Sequence, residues 1–314
     1  MRRVAHTEPA RWPAVRADRF ASRIVSDSAD GCQLALLGLP DDTGVRLNGG
    51  RPGAAAGPSA FRKALASYGT PWDNEARREL SIRVYDAGDV VPAEGEGEEK
   101  LLATHARVED AVAALHELGL LPVCIGGGHD LSLPSIRALS RALGKLVGGV
   151  NFDAHLDVRA RLGSGMPFRR LIEDGFLDPA RFVEFGVGRF VNDASDVAWL
   201  EERGGTLIGV ERVLAENLGF NSVASVAYAQ GDGFLSVDLD GLDASQMPSV
   251  SALNPCGVPV AALAALVEAA GADARVRHFD IMELAPELDA GGRGPRVAAH
   301  VFLCFVAGFA RRSA

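Results

Sequence analysis

Six side chains with metal-ligand chemistry, His129, Asp153, His155, Asp157, Asp238 and Asp240, fall in three short segments: GGGHD (126–130), NFDAHLD (151–157) and SVDLD (236–240). Each segment follows an apolar run that reads as a buried strand. Side chains of an extended chain alternate faces, so Asp153, His155 and Asp157 are expected to point one way, and Asp238 and Asp240 likewise. Four carboxylates gathered with two imidazoles in a partly buried site would repel one another unless cations neutralised them. A pair of metal ions is the simplest solution. Carboxylate oxygen with imidazole nitrogen, and no thiolate, suits Mn(II) or another first-row divalent ion better than structural zinc; spacing alone does not choose the metal. Two ions about 3.5 Å apart would turn a bridging water into a hydroxide nucleophile near neutral pH, which implies hydrolysis at carbon or phosphorus.

Taken singly the segments say less. A Gly-rich turn after a strand is common, and GGGHD alone does not mark a ligand. DAHLD is stronger, because buried carboxylates need partners. All three together, in this order, specify the cluster. Asp130 and Asp243 are candidates to orient ligands, with solvated turn or helix-cap roles equally open. His278, inside an apolar strand, reads as a core histidine, and His6, His105, His116 and His300 as surface or helix-face residues.

The elements that must position these groups alternate along the chain. Strands are predicted at 33–39, 81–88, 121–127, 146–152, 181–187, 206–210, 233–240 and 275–284. Helices are predicted near 58–68, before 117, and near 132–143, 167–174, 195–203, 221–229, 259–271 and 294–310. Alternating strands and helices imply βαβ units: an α/β protein with a mostly parallel central sheet covered on both faces. Ligand sites in such sheets lie beyond the carboxyl ends of the strands, where all six candidates sit. No linker divides the 314 residues, so 31–314 are expected to form one domain after a polar, loosely packed lead-in at 1–30.

With 47% apolar and 23% charged residues the composition is that of a globular protein, and a net charge of −9 argues against a nucleic-acid or anionic-membrane binder. Cys32, Cys124, Cys256 and Cys304 form no CxxC pair, so neither a disulfide framework nor a thiolate site is expected. No apolar stretch has the length of a membrane span or the form of a signal peptide, and a cytoplasmic location is the default expectation.

Together the segments GGGHD, DAHLD and SVDLDGLD resemble the GGxH, DAHxD and SxDxDxxD hallmarks of the ureohydrolase (arginase and agmatinase) superfamily, from about Leu36 to the last helix. The resemblance implies a three-layer α/β/α, arginase-like catalytic domain with two Mn(II) ions per subunit that hydrolyses guanidino or amidino groups. It implies that His129, Asp153, Asp157 and Asp238 hold one ion and Asp153, His155, Asp238 and Asp240 the other, with Asp153 and Asp238 bridging. Glu283, in HFDIMELAPELD, matches the family glutamate that faces the substrate's cationic nitrogen group. Without the resemblance it would read as a capping or surface residue.

Departures narrow the substrate. Agmatinases carry a histidine in HGTPFRRA and arginases one in SGNLHG, but this chain has SGMPFRRL with Ser164 at that place. That segment is similar to the SGTPF of the formimidoylglutamase branch, as are GVRLNGGRPGAAAGPSAFRKAL (44–65) and MPSVSA (247–252). GGGHDLSLPSIRAL is closer to agmatinases. The branch implies hydrolysis of N-formimidoyl-L-glutamate to L-glutamate and formamide, a step of histidine degradation, by a metal-bridging hydroxide. Asp157 would relay the proton and Glu283 would hold the amidinium. Asn48, Arg51 and Arg159, with Ser164, are candidates to bind the substrate, Arg46 and Arg189 less so; a loop-rigidifying salt bridge is the other role open to Arg51. The alternatives are an agmatinase or other guanidino hydrolase releasing urea, and a non-catalytic metal-binding scaffold. A homo-oligomer is the family expectation.

Overall fold

The computed structural model describes residues 4–73 and 77–312. Residues 1–3 of the lead-in, and 74–76 and 313–314 of the expected domain, lie outside the described residues. In chain order the strands are β1 (Thr7–Glu8), β2 (Ile24–Val25), β3 (Leu34–Leu39), β4 (Trp72–Asp73), β5 (Arg78–Glu79), β6 (Val84–Val90), β7 (Leu121–Gly126), β8 (Val147–Phe152), β9 (Leu177–Val187), β10 (Thr206–Gly209), β11 (Gly233–Asp238) and β12 (Val276–Met282). The helices are α1 (Thr43–Leu47), α2 (Gly57–Leu65), α3 (Gly97–Glu117), α4 (Ser132–Leu143), α5 (Pro167–Glu173), α6 (Ala194–Glu201), α7 (Val210–Glu216), α8 (Phe220–Ala227), α9 (Val260–Ala272) and α10 (Arg293–Phe309). The alternation expected from sequence is present. The short α1 and α7 were not expected: α7 begins directly at the end of β10, with no loop residue to mark the change.

One sheet runs in the order β1-β6-β3-β7-β12-β11-β8-β9-β10, with β2 also on β6, and every pair except β1–β6 is parallel. Both faces are covered, and the strands show it at period two. In β3, Leu34 and Leu36 join the core under α2, α9 and α10, while Ala35, Leu37 and Leu39 join the one under α3. The third layer continues over α4 and α5, giving α/β/α. Four adjacent central strands, β7-β12-β11-β8, therefore end side by side at one rim, although they are far apart in sequence.

Two expectations are corrected. β8 stops at Phe152 and β11 at Asp238, so the ligand segments are turns rather than strand continuations. The carboxylates themselves end the strands: Asp153 Oδ1 accepts the His155 N–H at 2.7 Å, and Asp238 Oδ1 accepts the Asp240 N–H at 2.8 Å. Nor is the lead-in loosely packed. β1 and β2 pair with β6, Phe20 is fully buried beside Phe302, and Trp12 Nε1 donates to Asp86 Oδ2 at 2.7 Å. Its polar composition conceals a few apolar anchors.

Asp86 also accepts two hydrogen bonds from Arg62 of α2, which reaches Asp89 at 2.6 Å as well. Arg62 is 1% exposed. Replacing it with Ala would strand Asp86 without its cation, and Arg62→Ala is expected to destabilise the protein by about 3–5 kcal/mol in denaturant unfolding. An unchanged unfolding midpoint would contradict the role given to this triad.

Candidate metal centre

β7 delivers His129 through Gly127 and Gly128. The Gly127 and Gly128 N–H groups donate to Leu39 O and Asp41 O, both at 2.9 Å, so the chain passes against another backbone. A Cβ on Gly127 would lie 1.7 Å from Asp41 O, which only glycine avoids. His129 is 1% exposed, and its Nδ1 lies 3.2 Å from Asp153 Oδ2, 2.9 Å from Asp157 Oδ2 and 3.1 Å from Asp238 Oδ2. His155 Nδ1 lies 3.4 Å from Asp153 Oδ1 and 3.3 Å from Asp240 Oδ2.

All six predicted residues are thus brought together, as two sets: His129, Asp153, Asp157 and Asp238, and Asp153, His155 and Asp240. Asp153 belongs to both. Asp238 falls in the first set, and its Oδ1 takes the Asp240 N–H. Asp157 reaches the cluster from left-handed backbone, φ 48°, and Glu283 from φ 64°. Non-glycine residues seldom adopt that region, and such strain gathers at functional sites.

Residues without an assigned role in the sequence hold His129 in place. Its Nε2 is 2.9 Å from Ser236 Oγ, and the Ser236 hydroxyl donates to Asp280 Oδ1 at 2.6 Å. With its proton committed to Asp280, Ser236 accepts from the Nε2–H, and the Nδ1 lone pair faces the carboxylates. Asp280 Oδ2 further meets Ser132 Oγ and His278 Nε2, each at 3.1 Å; His278 is buried in the core as expected, but among the described residues its Nδ1 has no hydrogen-bond partner. Asp280 lies within the predicted strand RVRHFDIM, whose alternating polar and apolar residues gave no signal that it would be buried. His105, expected at a surface or helix face, is 2% exposed and pairs with buried Asp130 at 2.7 Å, next to His129. Asp243 instead closes a local turn with the Ser245 N–H.

The donor set fits divalent ions. A buried Nδ1 with no hydrogen-bond partner among the described residues, aimed at three carboxylate oxygens, is repulsive unless a proton or cation lies between them. Neighbouring ligands about 2.1 Å from a divalent ion are themselves separated by about 3 Å, close to the spacings found here. Without the ion, protons take its place. Burial would lower the His129 imidazole, yet Asp153, Asp157 and Asp238 hold it well above its ordinary value; Asp240 likewise raises His155. Burial, reinforced by Asp153, pushes Asp240 up to about 7 against the opposing pull of His155, and Asp157 and Asp238 are also raised by burial and neighbouring carboxylates. Asp153 is buried too, but its two histidines hold it below the usual range.

Over the cluster lies a cavity of about 200 Å³ whose lining includes Asn48, His155, Asp157, Arg159, Ser164 and Glu283. Arg159 Nη1 donates to Asn48 Oδ1 at 3.2 Å and Asn48 Nδ2 to Ser164 Oγ at 3.3 Å, so these three form a string of donors. Glu283 Oε1 accepts the His129 N–H at 3.0 Å, and its buried Oε2 has no partner among the described residues. Arg51 is not brought into this lining: Nε donates to Ser251 O at 2.8 Å and Nη2 to Val250 O at 2.9 Å, clasping two loops with no salt bridge among the described residues. Arg46 pairs with Asp42, and Arg189 stacks on Phe190.

Residues 32–308 match the family model described as the arginase family. The chain is 38% identical over 287 residues to a formimidoylglutamase of Halobacterium salinarum, covering 89% of each. It is 36% identical over 282 residues to one of Aeromonas hydrophila, covering 85% of this chain and 84% of the relative. Among solved structures it is similar to Trypanosoma cruzi formiminoglutamase with Mn2+, with a TM-score of 0.86 at 33% identity, over 94% of this chain and 99% of that one.

Two predictions follow from the geometry. A carboxyl raised in the fold favours the protonated form, so Asp240 costs the metal-free protein stability as pH rises from the ordinary carboxylate range to about 7; the raised histidines lose their contribution in the same direction, above 6.5. The gain in Tm on adding Mn(II) is therefore expected to grow with pH through about 7 and to shrink on acidification, as protons displace the ion. A pH-independent gain would contradict the cluster as the binding site. Ser236→Ala is expected to weaken Mn(II) binding about 10–100-fold in a calorimetric titration; wild-type affinity would remove Ser236 from the site.

Proposed function

The chain belongs to the arginase family, and on that premise we propose that it hydrolyses N-formimidoyl-L-glutamate to L-glutamate and formamide at a binuclear manganese site. His129, Asp153, Asp157 and Asp238 would hold one ion, and Asp153, His155 and Asp240 the other. Two ions bound there would supply Lewis acidity and an activated water at neutral pH. The unpaired Glu283 Oε2 is suited to grip the amidinium by charge-assisted hydrogen bonds. Asp157, whose side chain is 10% exposed, would accept a proton from the water and help relay it to the departing amine. The same reading makes residues 31–314 one catalytic domain. It also includes a cytoplasmic location, supported by four free cysteines, and a homo-oligomer, supported by family resemblance.

One observation carries the substrate choice: Arg159 is the single Arg or Lys among the described residues lining a cleft otherwise rich in carboxylates. A substrate with carboxylates has a partner there, strengthened by Asn48 and by the Ser164 hydroxyl, whose oxygen accepts from Asn48 and whose proton is free to donate. A substrate with only cationic ends would meet Arg159 as a like charge.

Mn-loaded protein is expected to release glutamate from formimidoylglutamate, with activity lost on chelation, and no urea from arginine, agmatine or guanidinobutyrate. Urea from any of these would overturn the substrate assignment, and inactivity on all four would favour a metal-binding scaffold. Arg159→Ala is expected to raise KM about 10–100-fold with a smaller change in kcat, the loss of one or two charge-assisted hydrogen bonds. An unchanged KM would remove Arg159 from carboxylate binding.

A further inference from the structure

The two histidines of the cluster are held in different ways. His129 is locked through its own ring, by Ser236 and Asp280 behind it. The His155 side chain is 21% exposed, and among the described residues no hydrogen bond to another side chain fixes its Nε2. Its placement therefore comes from its backbone. The His155 N–H is tied to Asp153 Oδ1, and both neighbouring peptide groups are held by one residue outside the motif, Asn192, in the loop between β9 and α6. Asn192 Oδ1 accepts the Leu156 N–H at 2.9 Å, while Nδ2 donates to Ala154 O at 2.9 Å and to Gly188 O at 3.2 Å. Gly188 N–H donates to the same Ala154 oxygen at 2.9 Å, so the loop is bound to the turn from both sides.

We propose that Asn192 is a positioning residue for His155, and through it selectively for the metal site formed by Asp153, His155 and Asp240. The proposal rests on the cluster being a binuclear centre. A side-chain amide suits this place because it presents an acceptor and two donors in one plane, matched to an N–H and two carbonyls. Aspartate would keep the bond to Leu156 and set an oxygen against the Ala154 and Gly188 carbonyls; alanine would lose all three bonds. The His129 imidazole has no such dependence, because Ser236 and, through it, Asp280 fix its ring.

The test is a Mn(II) titration of the full-length protein followed by electron paramagnetic resonance, which separates single ions from coupled pairs. In Asn192→Ala the first ion is expected to bind with wild-type affinity and the second about 10–100-fold more weakly, the range for loss of a supporting contact. A mononuclear spectrum would then persist where the wild type is coupled. Asn192→Asp is expected to shift the same step. Equal weakening of both ions would mark a general structural role, and an unchanged second step would mean no role; either overturns the proposal. Amide exchange of the metal-free protein provides a readout independent of metal and substrate. Asn192→Ala is expected to accelerate exchange at Leu156 without a comparable effect at His129, and unchanged exchange at Leu156 would also overturn the proposal, whatever the enzyme hydrolyses.

Discussion

Asp153 is the group on which the rest of the site depends. It is fully buried, its Oδ2 faces His129, its Oδ1 faces His155, and that same Oδ1 accepts the N–H that turns the chain out of β8. A buried carboxylate in the company of Asp157, Asp238, Asp240 and Glu283 is tolerable only with positive charge between them. In the metal-free protein the raised histidines provide it, and protonation of the raised carboxyls removes part of the negative charge; divalent ions would provide it more completely. The parallel sheet makes this concentration possible by ending β7, β12, β11 and β8 at one rim while α/β/α layers keep water from the strands behind.

From that centre the cleft becomes chemically two-sided. The ligand carboxylates and Glu283 make one part suited to cations, whereas Arg159, Asn48 and Ser164 present donors within the same lining. A linear molecule with an amidine at one end and carboxylates at the other complements both parts. Ser164 takes on particular meaning here, since its hydroxyl extends the donor string at the place where arginases and agmatinases are expected to carry histidine.

The identities of the six clustered residues were legible because ligand chemistry restricts residue type, and their strand-end positions because apolar runs mark buried strands. The manner of convergence was less so. Strand alternation put the right groups on one face, but the structure uses side-chain-closed turns and the left-handed backbone of Asp157. Supporting groups were harder still to read. Ser236, Asp280 and Asn192 act through partners 44 to 107 residues away or through backbone groups 36 and 38 residues away, and no local pattern announces such pairings. His105 does lie on a helix face, but on the buried one, where it pairs with Asp130. Arg51 sat in a suggestive loop, yet backbone carbonyls of the facing loop occupy its guanidinium. The N-terminal segment misled through composition, since Trp12 and Phe20 are enough to dock a largely polar stretch.

The most direct measurement is anomalous X-ray diffraction at the manganese absorption edge from crystals of the Mn-loaded protein. Two anomalous peaks are expected in one cluster, one among His129, Asp153, Asp157 and Asp238 and the other among Asp153, His155 and Asp240, with Asp153 contacting both. A single peak, or manganese bound away from these side chains, would contradict a binuclear centre organised around Asp153.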